Sequence, residues 1–281
     1  MTFTLYEQRR KLDGGTALVF ANHNVFQFPG AESHVVLEPT ASVQVAYVQG
    51  ADGNDLMKLA MWADACKRYG GLKTVLALPY LPGARQDRGA PLGAKVYADF
   101  INSLGIDHVV ALDPHSDVAP ALYDRLTVVP ITAVIPPRVG YTGIIIPDLG
   151  AVKRAESVAT LFALPTYQAT KKRDFATGRL SGFECELLPS DGRYLVVDDI
   201  CDGGGTFIGL AEATGLPREQ LGLWVTHGIF SKGLEELRER YSWIGCTDSH
   251  EGRPVRLTAY REDWLTVVPV IDKLVSKVKG L

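Results

Sequence analysis

The stretch that most constrains the fold is residues 194–206, Tyr-Leu-Val-Val-Asp-Asp-Ile-Cys-Asp-Gly-Gly-Gly-Thr. The unbroken apolar run 195–197 has the pattern of a parallel strand covered on both faces, and it leads into two carboxylates, three glycines and a threonine. That is a strand, a tight loop and the start of a helix. Ligands of open α/β sheets bind at the carboxyl ends of strands, and a glycine loop opening a helix turns several backbone N–H groups toward one anion. Gly203, Gly204 and Gly205, with Thr206 beside them, can therefore cradle a phosphate. The acids narrow the choice, because Asp198, Asp199 and Asp202 repel a bare anion but accept hydrogen bonds from sugar hydroxyls. A sugar phosphate satisfies both halves. A Walker A loop needs a lysine beside its final threonine, and the dinucleotide fingerprint has no paired acids ahead of its glycines, so neither describes this loop.

A loop of this kind needs a sheet around it, and the chain has the material. Its 281 residues, 46% hydrophobic, are enough for two medium α/β domains with cores of their own. Apolar runs at 16–21, 43–48, 74–78, 108–112, 143–146, 221–226 and 243–247 read as further strands. Helical spacing covers 55–69, 95–104, 151–162, 207–214 and 232–240, with Asp52 or Asn54 as cap of the first and an amphipathic helix expected at 267–279. The alternation predicts an α/β fold of two similar doubly wound domains with mainly parallel sheets. Prolines 130, 136 and 137 mark the boundary, giving domains 1–135 and 136–281, with the terminal helix able to pack back on the first. Residues 26–32 read as a turn with two exposed aromatics, and 170–182, basic and without apolar period, as a mobile loop.

Charge and cysteine usage exclude several classes. A formal net charge of −3 gives no general attraction to nucleic acid or anionic membrane, so neither is an expected partner. Cys66, Cys185, Cys201 and Cys246 contain no C-x-x-C pair, which argues against a disulfide framework or zinc cluster and points to the reducing cytoplasm. No apolar run approaches the ~20 residues of a membrane span, and 1–13 lacks the apolar stretch of a signal peptide.

Several strand ends carry functional-looking groups in a definite order. They are Phe28-Pro29 with Glu32, Pro79-Tyr80, Ala84-Arg85-Gln86-Asp87-Arg88, Asp113 and His115, Pro147-Asp148 with Gly150, and the basic run Lys171 to Arg173. The Asp198 loop and Thr226-His227-Gly228 with Phe230-Ser231 complete them. Together they resemble the ribose-phosphate pyrophosphokinase (phosphoribosyl diphosphate synthetase) family, of phosphoribosyltransferase-like fold, over roughly residues 28–249.

The resemblance implies Mg²⁺-dependent transfer of the β,γ-diphosphoryl group of ATP to the anomeric hydroxyl of ribose 5-phosphate, giving phosphoribosyl diphosphate and AMP for nucleotide and NAD precursors. It also implies a homo-oligomer. Phe28 would contact adenine and Glu32 the nucleoside, Arg85 and Arg88 would neutralise phosphate with Gln86 assisting, and His115 and Asp148 would hold or orient Mg²⁺. Lys171 and Arg173, with His115, would balance charge in the transition state, and Asp198, Asp199, Asp202, Gly203, Gly204, Gly205 and Thr206 would bind the ribose phosphate. A phosphoribosyltransferase has no need of the arginine loop, His115 or a second domain, and a silent regulatory homologue would have lost Lys171, Arg173, His115 and Asp148.

Two departures from the family matter. Members usually read Phe-Pro-Asp-Gly-Glu where this chain has Phe28-Pro29-Gly30-Ala31-Glu32, which removes a carboxylate beside the nucleoside. The phosphate loop usually has threonine where this chain has Gly203, which removes a donor and opens room for an acceptor with an esterified 5-phosphate, such as ADP-ribose.

Overall fold

The computed structural model describes residues 3–13, 15–137, 140–173, 180–250 and 263–278, with backbone alone at 171–173 and 180–181. The chain divides into two compact units, Met1–Val129 with Val270–Leu281, and Pro130–Pro269.

The first unit is built on strands β1 (Phe3–Arg10), β2 (Thr16–Phe20), β3 (His23–Gln27), β4 (Ser33–Leu37), β5 (Val43–Val48), β6 (Lys73–Leu78), β7 (His108–Leu112) and β8 (Leu126–Val129), with helices α1 (Gly53–Tyr69) and α2 (Gly93–Ser103). Its main sheet has the order β2-β1-β5-β6-β7-β8, parallel from β5 to β8 and antiparallel at β1, while β3 and β4 form a separate hairpin. Every residue of β5 is buried, as an apolar central parallel strand should be. Asp52 caps α1 by accepting from Asn54 N at 2.9 Å and Asp55 N at 3.3 Å, and Leu56, Leu59, Ala63 and Cys66 turn into the core.

The turn expected at 26–32 is shorter than that. Phe26 and Gln27 end β3, and only 28–32 turn, through Phe28 N to Glu32 O and Ala31 N to Phe28 O, both 2.9 Å. Phe28 is 49% exposed, whereas Phe26 is half-buried because its ring meets both Phe28 and His34.

The second unit contains β9 (Gly143–Ile146), α3 (Val152–Phe162), β10 (Thr166–Arg173), β11 (Leu180–Cys185), β12 (Tyr194–Cys201), α4 (Gly205–Thr214), β13 (Leu221–Gly228), α5 (Glu235–Arg240), β14 (Trp243–Thr247) and β15 (Leu265–Val268). Its sheet runs β11-β10-β9-β12-β13-β14-β15, and only the β10–β11 edge pair is antiparallel. Strand β12 therefore lies in the interior of the sheet, flanked by β9 and β13.

The basic stretch read as a loop is a hairpin where it is described: Lys171, Lys172 and Arg173 extend β10 and pair with Phe183, Gly182 and Leu180. An antiparallel edge pair needs no apolar run, so composition concealed it. Residues 174–179, including Arg179 of the expected loop, lie outside the described residues.

The terminal helix is also shorter than its expected 267–279. Val267 and Val268 belong to β15, Pro269 interrupts, and α6 (Ile271–Val275) packs on β6 and β7 within the first unit. Residue 279 lies outside the described residues. No helix among the described residues is long and apolar enough to cross a membrane.

Candidate functional site

In the second unit β12 continues past its apolar run to Cys201, so Asp198 and Asp199 belong to the strand rather than to the loop after it. Asp199 is buried and its N–H donates to Asp198 Oδ1 at 2.8 Å. Arg154, in the first turn of α3, brings a guanidinium nitrogen to 3.7 Å from Asp198 Oδ1 and 3.6 Å from Asp199 Oδ1, with only 8% of its side chain exposed. Burial, then the neighbouring charge of Asp199, pushes the Asp198 carboxyl well above the usual carboxylate range, and Arg154 pulls it part of the way back. The group carries two acids against one base.

Sequence reading missed Arg154. The available signal was its position, since a cation in the first turn opposes the helix dipole and the first turn of α3 has no acid to offset it.

Beyond Cys201 the chain bends into the glycine loop. Gly204, at φ 78°, is the left-handed N-cap of α4 and leaves that end without a side-chain cap. The first helical bonds run from Phe207 N and Ile208 N to Gly204 O, so the N–H groups of Gly205 and Thr206 stand ahead of the ladder, where an anion can meet them. Asp202 faces residues 229–231 instead: its Oδ1 accepts from Ser231 Oγ at 2.6 Å and its carbonyl from Ser231 N at 3.1 Å. Ile229 N and Phe230 N both donate to Cys201 O. His227, buried at the end of β13, has Nδ1 2.8 Å from Ser249 Oγ, which suits a structural histidine. A Cβ on the neighbouring Gly228 would strike the Phe230 ring.

Asp148 lies two residues beyond the end of β9 and caps the short turn Leu149–Ala151, its Oδ1 accepting from Gly150 N at 2.9 Å. It is half-buried and belongs to the second unit, whereas His115 belongs to the first. Lys171 and Arg173 lie on β10, and only their backbone is described.

In the first unit the arginine loop leaves β6 with Arg85, Gln86 and Arg88 exposed. Asp87 turns the other way, its carboxylate 6% exposed and 3.2 Å from Arg88 Nε. The Ser116 hydroxyl meets no partner at full hydrogen-bond geometry, yet it lies close enough to be the largest influence lowering Asp87 below the usual carboxylate range, with Arg88 and His115 adding to it. Asp87 thus joins the arginine loop to the loop that carries His115. His115 is exposed and follows Asp113, which takes φ 37° and donates its N–H to Val129 O at 2.9 Å. Phe28 and Glu32 flank the 28–32 turn, and a Cβ at Gly30 would lie 2.6 Å from Glu32 Oε2. The Glu32 carboxylate therefore occupies the space in which an aspartate at position 30 would begin.

No protein-family model matches the chain. The chain is 30% identical to the ribose-phosphate pyrophosphokinase of Bradyrhizobium diazoefficiens over 198 residues, 63% of this chain and 60% of that protein. With the ribose-phosphate pyrophosphokinase of Corynebacterium efficiens identity is 31% over 259 residues, 80% of this chain and 73% of that protein. The chain spans about three fifths of the length of the Bradyrhizobium and Mesorhizobium relatives it matches, 60% and 61%. Among solved structures, phosphoribosylpyrophosphate synthetase from Mycobacterium smegmatis matches with a TM-score of 0.72 at 21% identity, covering 92% of this chain and 89% of that one. The fold is therefore shared.

Proposed function

The chain belongs to the ribose-phosphate pyrophosphokinase family, and from that premise we propose that it transfers the β,γ-diphosphoryl group of ATP to the anomeric hydroxyl of ribose 5-phosphate. The anomeric oxygen forms a bond to the β-phosphorus, the bond from that phosphorus to the oxygen bridging to the α-phosphorus breaks, and AMP leaves with that oxygen. The hydroxyl proton passes to solvent. No covalent enzyme intermediate is required, because such transfers rest on positioning and electrostatic stabilisation.

The observation that carries the reading is the continuous series of Asp198 and Asp199 on one interior strand, Arg154 against both, and the uncapped glycine turn of α4 immediately beyond. Ionised Asp198 and Asp199 accept hydrogen bonds from ribose hydroxyls, Arg154 limits their mutual repulsion, and the N–H groups ahead of α4 receive the 5-phosphate. On the nucleotide side the exposed Arg85 and Arg88, with Gln86, receive ATP phosphates, while Phe28 packs on the base and Glu32 accepts from the nucleoside. Lys171 and Arg173 offset charge growing on the bridging oxygen.

Mg²⁺ would screen the phosphates, and His115 in the first unit and Asp148 in the second are each, within its own unit, a residue to hold or orient such an ion. Oxygen donors with one imidazole suit an ion that keeps most of its water. Among the described residues no group of three or more His, Cys, Asp or Glu is gathered into a cage, so phosphates and water would supply most of the ligands. The four cysteines are free thiols, which fits a reducing cytoplasm, and assembly into a homo-oligomer belongs to the same proposal.

The test is to incubate the protein with ATP and Mg²⁺, with and without ribose 5-phosphate, and to follow AMP and product mass by chromatography. Acceptor-dependent AMP together with phosphoribosyl diphosphate is the expected result. Acceptor-independent AMP, or none, refutes the assignment.

A further inference from the structure

Gly203 sits where a hydroxyl is usual, and the vacated space is not open. A Cβ added at Gly203 would meet Cδ and Cε of Lys232 at 3.5 Å and its Cγ at 3.8 Å, which is ordinary van der Waals contact. The aliphatic stem of Lys232 therefore already lies over the glycine. This placement is enforced one residue earlier, where Ser231 is fastened to Asp202 by N to O at 3.1 Å and Oγ to Oδ1 at 2.6 Å. A lysine following a doubly anchored serine has a stem that begins at a fixed point beside the loop.

The head group has no such attachment. Among the described residues the Lys232 ammonium has no hydrogen-bond or ion-pair partner, although the segment that carries it is tied to an aspartate, and the residue is exposed. The strand end and the loop bring three carboxylates, Asp198, Asp199 and Asp202, toward the place of an anion, and Arg154 lies against the first two. A phosphate arriving at the glycine turn needs another cation, and Lys232 is the one whose stem touches the turn.

We propose that Lys232 is a ligand of the acceptor's 5-phosphate, its stem filling the space left by Gly203 and its ammonium doing the work of the missing hydroxyl. The inference rests on the reaction proposed above and adds to it the residue that sets how the acceptor is held. The two devices differ in kind. A threonine hydroxyl fixes one hydrogen-bond direction, whereas an ammonium on a four-carbon stem is a movable point charge that follows a phosphate monoester or a diphosphate ester equally well. The recognised group is thus the 5-phosphate of a ribose, and two sources, ribose 5-phosphate and ADP-ribose, present it.

Direct binding separates this inference from the activity. Ribose 5-phosphate, ADP-ribose and unphosphorylated ribose are titrated calorimetrically into wild type, Lys232→Met and Lys232→Arg, with AMP release measured in parallel. Loss of one charge-assisted contact to phosphate should weaken binding of the preferred acceptor about ten- to a hundred-fold in Lys232→Met. Lys232→Arg should recover most of it, and binding of ribose should not change. The acceptor that suffers the loss identifies the source. Phosphate acceptors that bind Lys232→Met as tightly as wild type, with thermal melts unchanged, overturn the inference while leaving the reaction standing. Binding that depends on Lys232 without any AMP release supports the inference and refutes the reaction; a wild type that binds neither acceptor overturns both.

Discussion

Replacing Arg154 by methionine should destabilise the protein in a strongly pH-dependent way, and the geometry sets the scale. The guanidinium lies 3.6 and 3.7 Å from two carboxylates whose side chains are 6% and 14% exposed. At an effective dielectric of about 20 each contact is worth about 4.5 kcal/mol of gross attraction, most of it offset by dehydration of the charges. Truncating one partner of such a group costs about 3 to 5 kcal/mol when the remaining charges stay ionised. They need not stay ionised. Asp198 is already raised by burial and by Asp199, and loss of Arg154 raises it further.

For a carboxyl whose folded pKa lies above its unfolded value, the folded state binds the extra proton. Stability is then greater at low pH and is lost as pH rises through the folded pKa. The folded variant then binds an additional proton relative to wild type, so its stability deficit should shrink as the pH is lowered and grow as the pH rises through the folded pKa of Asp198. Urea unfolding of wild type, Arg154→Met and Arg154→Lys, followed by the fluorescence of Trp224, which is buried on the neighbouring strand β13, measures it. A stability difference that stays constant across the whole pH range in which both proteins fold would refute the coupling, and with it the idea that Arg154 is present to manage the charge of the aspartate pair.

Three further outcomes follow from the arrangement. On the proposed role of Lys171 in the transition state, Lys171→Ala should lower kcat at least ~100-fold while ATP affinity stays within a few-fold, and a large affinity loss at constant kcat refutes that role. His115→Ala should raise the Mg²⁺ concentration needed for half-maximal rate without lowering Tm, since the residue is exposed at a strand end; an early melt would make it structural. Ala31→Gly should stabilise the protein by about 1 kcal/mol in urea unfolding, because Ala31 holds φ 67°, and no gain would mean that the unfolded chain's added freedom cancels the relief.

What the sequence disclosed followed the strength of local signals. The apolar run, acids and glycines make the loop and its chemistry legible in the sequence, yet strand β12 extends beyond its apolar run to Cys201. Nothing local indicated that Asp198 and Asp199 would remain within the sheet, balanced by an arginine more than forty residues earlier. Strand β1 was hidden for a related reason. Glu7 shares the inward face of Phe3 and Leu5 and is buried, although its charge by itself suggests a surface position, and its carboxylate is satisfied by Thr40 N at 2.7 Å and Gln44 Nε2 at 3.1 Å, both remote in sequence. Lys232 was likewise invisible, read as one charge of a helix that in fact begins later, at Glu235. In these three cases a polar side chain lies against residues distant along the chain. Hydrophobic period carries no information about such pairs.

Backbone strain marks the same regions from another direction. Among the described residues four other than glycine have positive φ: Ala31, Asp113, Ala163 and Phe230. Ala163 is an ordinary helix end, the left-handed cap of α3, with its N–H bonded to the carbonyls of Ala159 and Thr160. The other three stand in the loops of the candidate residues: the Phe28 turn, the approach to His115, and the segment behind the phosphate loop. Such conformations cost about 1–2 kcal/mol each and persist only where surrounding contacts over-determine them. At Phe230 those contacts are explicit. The ring is buried against Gly228, where a Cβ could not be accommodated, and the N–H at this kink donates to Cys201 O at 3.1 Å. The reversal carries the next residue, Ser231, onto Asp202 and the one after it, Lys232, over Gly203. A relaxed, extended residue 230 would carry Ser231 away from Asp202 and remove the only cation whose stem touches the glycine turn among the described residues. The strain at Phe230 is thus the local cost of placing that lysine.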